Sequence, residues 1–255
     1  LTGQARPPTR PGPSSRGSES GGRRSNQRTV WFLEVFFPTT DRLETISNTD
    51  NVFEGSAHMR KGMSGAIQEH GYGSMRDRLP ASQTDGLVGT KVTTEDFKAC
   101  DTVASGRVSI SGKRNLAIIR SGQDWLDTTP KERELYLETM HPPVLTKGMN
   151  FLRDYGEEVG CYSCHFMDIV DPVTTKADKD RAFGLAYFDD LSSLERWCKE
   201  HPTHLAISGG FYQYARKMQN NVTLRVFHEV MVLEPEQQLF ENRLRRFTPV
   251  QPSIW

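Results

Sequence analysis

No stretch of this 255-residue chain approaches the roughly 18 consecutive apolar residues that a membrane-spanning helix requires. No apolar signal-peptide core lies near its start either, so the reading is a soluble, cytoplasmic protein without a membrane partner. Net charge is missing as well: 32 Lys and Arg balance 32 Asp and Glu, which argues against a dedicated nucleic-acid binder. Cysteine is scarce, with four in the whole chain, and this excludes a disulfide scaffold. What is present is enough chain for a sizeable core in one large or two small domains.

The first 29 residues have almost nothing to bury. They are rich in Pro, Gly, Ser and Arg, carry six Arg against one Glu, and are expected to form a disordered tail. Their Pro and Gly content also opposes the amphipathic helix of a transit peptide. A folded domain is expected over residues 30–243, and residues 244–255 read as an irregular basic end.

Inside that domain a dense apolar run, residues 30–37, comes first, and Thr40, Asp41 and Glu44 suggest the cap of a short helix or turn. Residues 51–80 read as a long ordered loop. On extended backbone, Arg76 and Arg78 would point to the same side of it. Residues 106–125 suggest a hairpin, in which Val108 and Ile110 alternate before a turn at 111–114 and an apolar strand at 116–119 ends in Arg120, Ser121, Gly122 and Gln123. Thr129, Pro130 and Glu132 form a helix start, with N-cap, N1 and N3 residues in place. That helix is interrupted at Pro142 and Pro143 and resumes through Leu145, Met149 and Leu152, positions expected to be core.

Residues 161–165, CYSCH, match the attachment signature of a c-type haem. The alternation around them, and the absence of an export signal, fit a strand entering at Gly160 instead. No second cysteine pair lies at zinc spacing. Another strand is expected at 183–188. Asp189 and Asp190 can cap a helix whose stripe is Leu191, Leu194, Trp197 and Cys198, and Pro202 should stop it at His201. Residues 203–207 then read as extended, which puts His204 on rigid backbone just past a helix. It is read either as a metal ligand or as a buried, hydrogen-bonded core histidine. In residues 224–233, Leu224, Val226, His228, Val230 and Val232 alternate onto one face, where His228 is the single polar group. On residue chemistry alone it is a neutral ring bonded to a backbone carbonyl. Residues 235–242 suggest a short amphipathic helix. The sum favours an α+β fold, an antiparallel sheet with helices on one face, over a doubly wound parallel sheet.

Five blocks, EHGYGSMRDRLPASQTD (69–85), LAIIRSGQDW (116–125), GMNFLRDYGEEVGCYS (148–163), LERWCKEHPTHL (194–205) and LRVFHEVMVL (224–233), resemble the haem-containing aldoxime dehydratases, in order and from about Trp31 to Phe240. The resemblance implies a dimeric α+β barrel of ferredoxin-like units holding haem b without covalent linkage. It makes His204 the proximal iron ligand and His228 the distal acid/base. Ser121 and Arg78 would hold the hydroxyl of an aldoxime, R-CH=N-OH, which is dehydrated to a nitrile. It also implies that N- and C-terminal parts of the family are missing here, that its GYWGS block is shortened to Gly71-Tyr72-Gly73-Ser74, and that Cys164 and His165 replace an Asn-Arg pair. A haem-binding but inactive fragment or haem-sensing module is the alternative, and a c-type electron carrier would rest on the CYSCH motif alone.

Overall fold

A computed structural model describes residues 31–48, 75–91, 103–104 and 107–243. The predicted tail at 1–29, most of the loop at 51–80 and the end at 244–255 lie outside the described residues. The strands are β1 (Trp31–Phe36), β2 (Leu43–Ser47), β3 (Val103–Ala104), β4 (Arg107–Ile110), β5 (Leu116–Asp124), β6 (Cys161–Val170), β7 (Ala177–Phe188), β8 (Arg225–Leu233) and β9 (Gln238–Arg243). The helices are α1 (Pro130–Thr139), α2 (Thr146–Tyr155), α3 (Leu191–Glu200) and α4 (Pro202–Lys217).

Two antiparallel sheets result, ordered β1-β9-β4-β3 and β2-β8-β5-β7-β6. Within the second, the chain runs β5, α1 and α2, β6, β7, α3 and α4, β8. With the strands ordered β8-β5-β7-β6, this is the split βαβ arrangement of a ferredoxin-like unit, and β2 adds a fifth strand beside β8. Both helical connections cover the same face. Ala117, Ala186, Val230 and Val232 of that face form one core with Leu152, Leu191, Leu194 and Trp197 of the helices. The opposite face presents Leu116, Ile118, Tyr187 and Leu233, which pack with Phe36 and Phe240 of the four-stranded sheet. The expected α+β class, with helices on one side of an antiparallel sheet, is therefore what the chain adopts.

Local sequence explains most of the helix ends. The Thr129 hydroxyl accepts from the Glu132 N–H at the start of α1, and Asp190 accepts from the Ser193 N–H at the start of α3. The two prolines at 142 and 143 fall in a π-helical segment, His141–Leu145, so α1 passes into α2 without a clean break. Gly160, at φ 77°, takes the left-handed conformation that starts β6.

Several expectations change. His204 lies inside α4, not on a strand, because Pro202 occupies the first turn of a new helix whose N-cap is His201, with His201 accepting from the Thr203 N–H. The proline that ends α3 also begins α4. Of the helix or turn expected at Thr40, Asp41 and Glu44, a turn forms at Thr40 and Asp41, while Glu44 lies in β2, paired along β8. The hairpin at 106–125 does not form: β4 pairs with β9 and β5 with β7 and β8, so the two strands belong to different sheets. At the crossing, a Cβ on Gly112 would meet the Pro235 carbonyl at 2.3 Å. Arg120 to Gln123 consequently sit within β5 and not at its end. Residues 235–242 are a turn followed by β9, where the buried Gln238 side chain donates to the carbonyls of Leu233 and Glu234 and holds the corner. Arg76 and Arg78 stand in a 3₁₀ turn (Arg76–Arg78), so they diverge: Arg76 pairs with Glu195 and Arg78 with Glu44. No helix among the described residues is long and apolar enough to cross a membrane.

One buried carboxylate ties α1 to α4 and β8. Glu132, with no exposed surface, accepts from the Tyr214 hydroxyl at 2.7 Å, from the N–H groups of Thr223 and Leu224 at 2.8 and 3.0 Å, and from the Thr223 hydroxyl. Removing it strands these donors in the core, at about 1–3 kcal/mol each. Glu132→Ala is expected to lower unfolding free energy by at least about 3 kcal/mol in urea titrations, and Glu132→Gln by less, because an amide oxygen still accepts.

Candidate functional site

The alternation of β8 and β5 sets the site. His228 is the cross-strand partner of Ser121 on β5 and of Ile46 on β2, while Glu44 is opposite Val230. Residues paired in register share a face, so Glu44, Ile46, His228 and Ser121 all lie on the helix-covered side. His228 and Glu44 are 3% and 4% exposed. His228 Nε2 lies 2.8 Å from a Glu44 carboxylate oxygen, and Arg78 Nε donates to the other at 2.8 Å. The Arg78 guanidinium also comes within 3.4 Å of His228 Nε2. One carboxylate thus holds both an imidazole and a guanidinium. Burial pushes the Glu44 carboxyl up, but the hydrogen bonds and charges of His228 and Arg78 outweigh it and hold the group below the usual carboxylate range.

Ser121 differs from its neighbours. It stands in the central strand β5, on the side that the helices cover, yet its side chain is exposed. Helix α4 lies mainly against α1, α2, α3 and the π-helical segment, with Ile207 and Phe211 turned toward the core. The sheet surface around Ser121 is left open on that side.

His204 extends from the first turn of α4. Its ring meets Trp197 edge to face, with centroids 4.7 Å apart, and Nδ1 lies 3.5 Å from the Ser208 hydroxyl. Burial lowers its pKa, a hydrogen bond with the Cys198 backbone raises it less, and His228 acts in the same direction as burial. Burial thus favours the neutral ring, the form in which an imidazole ligates a metal. No group of three or more His, Cys, Asp or Glu able to hold a metal ion occurs among the described residues. A lone imidazole suits a metal that brings its other ligands with it.

Arg78, His228 and Ser121 converge on one sheet surface, and His204 stands on the helix above. Glu44 is the member that residue patterns missed. Its signal was the alternation of β2, where Glu44 and Ile46 share a face, but the preceding Thr and Asp suggested a helix cap. The CYSCH cysteines are elsewhere: Cys161 and Cys164 are buried in the core, and His165 turns to the Ser163 hydroxyl at 3.1 Å. A groove of about 450 Å³ between α1 and α4, lined by Thr139, Val144, Gly209 and Lys217, includes none of the candidate residues.

The Glu44 cluster makes two expectations. Glu44→Ala leaves a buried guanidinium and imidazole without their shared acceptor and should cost about 3–5 kcal/mol in denaturant unfolding. Because the folded carboxyl titrates below the unfolded one, its contribution is present above about pH 4.3 and is lost as pH falls through the folded value. Between pH 5 and 3 the wild type should lose stability more steeply than Glu44→Gln.

Comparisons with known proteins place the chain among relatives. The model of the family described as haem-containing dehydratase matches residues 20–242. An aliphatic aldoxime dehydratase of Pseudomonas chlororaphis is 41% identical over 213 residues, 83% of this chain and 58% of that protein. The aliphatic aldoxime dehydratase of Rhodococcus erythropolis is 40% identical over 83% of this chain and 58% of its own length. A phenylacetaldoxime dehydratase of Bacillus sp. (strain OxB-1) is 28% identical over 80% of this chain and 57% of its own. A crystal structure of an aldoxime dehydratase in complex with butyraldoxime superposes with a TM-score of 0.72 at 37% identity, covering 85% of this chain and 58% of that one. The chain spans a little under three-fifths of the length of these relatives. With the match to the family model running through both sheets and every candidate residue, the chain belongs to the haem-containing dehydratase family.

Proposed function

We propose that this chain carries the haem-binding and catalytic surface of an aldoxime dehydratase, converting R-CH=N-OH to a nitrile and water. The observation that carries the reading is the buried His228, held by Glu44 and Arg78 beside Ser121 on the helix-covered face of the sheet. The donor set suits haem b: one neutral, half-buried imidazole on a helix, above an opening in an otherwise covered sheet. In this reading His204 is the proximal ligand. Held by His204, a haem would supply a ferrous Lewis acid for the aldoxime nitrogen.

The protein residues do the rest. Ser121 and Arg78 orient the aldoxime hydroxyl by hydrogen bonding. His228, protonated at Nε2, gives that proton to the departing hydroxyl, which leaves as water. The neutral ring then removes the carbon-bound hydrogen, completing the C≡N bond and restoring the imidazolium. Glu44 gives the Nε2 proton an acceptor between turnovers, and Arg78 limits the charge that builds on that carboxylate. The apolar surroundings, Ile46, Val226 and Val230, keep water from competing for the proton. The finer assembly, a homodimer built on ferredoxin-like units, is part of the same proposal and is read by sedimentation equilibrium.

The test is nitrile formation by the haem-reconstituted, anaerobically reduced chain given an aldoxime, together with the haem absorption spectrum. His204→Ala should lose the Soret band of bound haem. His228→Ala should keep it while turnover falls by about two to four orders of magnitude. Full activity in the His228 variant would remove it from the mechanism, and haem binding without nitrile would favour the reading as a haem-binding module.

A further inference from the structure

The CYSCH motif is left unused by this chemistry, and its sulfurs are arranged for a different one. We propose that Cys161, Cys164 and Met149 form a buried binding site for a soft monovalent cation of the Cu(I) type. In regular alternation, residues three apart on a strand face opposite sides of the sheet. Strand β6 is interrupted, because Cys161 pairs with Phe188 while Ser163, two residues on, pairs with the adjacent Tyr187. The irregularity turns both Cys161 and Cys164 into the same core, where they are 2% and 4% exposed.

Met149, on α2, joins them from above. The Cys164 thiol donates to the Met149 thioether at 3.9 Å, and Cys161, opposite Phe188 where Cys164 is opposite Ala186, lies in the same core. Cys161 donates to the Ser163 carbonyl at 3.3 Å and also meets the Tyr187 backbone. The thioether belongs to an unbranched, adaptable side chain and lies over Gly184, where a Cβ would sit 2.8 Å from the sulfur. Three sulfurs with no nitrogen or carboxylate among them form a donor set for Cu(I) and for Ag(I), and a poor one for Mg²⁺, Ca²⁺ or Mn²⁺. Burial pushes both thiols up to about 12, so each is protonated when the site is empty. On binding, each ligating thiol releases its proton to solvent as its sulfur–metal bond forms, and no electron is exchanged. The proposal is independent of the aldoxime reading.

The test uses the full chain under anaerobic conditions, titrated with Cu(I) against a chromogenic Cu(I) chelator. The wild type should withdraw one Cu(I) per chain. A Cys100→Ser/Cys198→Ser variant should do the same, and Cys161→Ser/Cys164→Ser should lose that equivalent. Retention of it by the Cys161/Cys164 variant overturns the proposal. Because paired serines in this core could prevent folding, X-ray absorption on copper-loaded wild type gives a second, variant-free reading. A shell of sulfur alone supports the site, with one sulfur fewer in Met149→Leu. Nitrogen or oxygen neighbours, or no copper taken up, overturn it.

Discussion

The Glu44 carboxylate, buried between a histidine and an arginine, is the constraint on which the rest of the site depends. A carboxylate with so little exposure is tolerated only if its charge is matched and its oxygens are occupied. Both conditions are met here by groups distant in sequence: Arg78 from a turn that follows β2 and His228 from a strand near the other end of the domain. Satisfying one buried charge therefore fixes where the β2 edge, the Arg78 turn and β8 meet. The same contacts bring an imidazole and a guanidinium to one small area of sheet. Stability and the placement of the candidate acid/base are thus properties of a single cluster.

The ferredoxin-like topology turns that cluster into a two-sided site. Both helical connections must cross the same face of the sheet, so any residue on that face looks at a helix. Over most of the face the gap is filled, as Val230 and Val232 are by the helix stripes. Around Ser121 it is not, because α4 rests on other helices more than on strands. The chain meets Pro202 immediately after α3 and turns into a second helix, which carries His204 above the sheet instead of along it. One proline thereby decides whether His204 lies on a strand or on a helix.

How much of this was legible in the sequence follows from which interactions are local. Caps are local, and Thr129 and Asp190 began their helices as expected. Period-two alternation is local, so residues 224–233 read correctly as a strand with His228 on its apolar face. Strand partners are not local: β4 and β5 are adjacent in sequence with a turn between them, and only distant segments, β9 for one and β7 and β8 for the other, determine that they part. Glu44 was misread for the same reason, since a Thr and an Asp before it are equally good at starting a helix and at ending a turn. Pro202 was read for its effect on the preceding residue and not for its suitability as a first helical residue, and His204 followed that error. The residue roles came from family resemblance, because nothing in spacing alone pairs His204 with His228.

The fate of the CYSCH motif shows why spacing must be read through backbone geometry. On a loop or a helix end, two cysteines and a histidine at these intervals can face one ligand. On an ideal strand, Cys161 and His165 would share a face and Cys164 would oppose them. The irregularity in β6 yields a third outcome, in which the two cysteines share the core and His165 turns to Ser163 on the other side. The histidine that a c-type attachment requires is thus separated from its thiols by the thickness of the sheet. What remains together is sulfur, joined by the thioether that α2 places 3.9 Å from Cys164. A one-residue register shift in a single strand has therefore exchanged a haem-attachment signature for a soft, buried sulfur cluster.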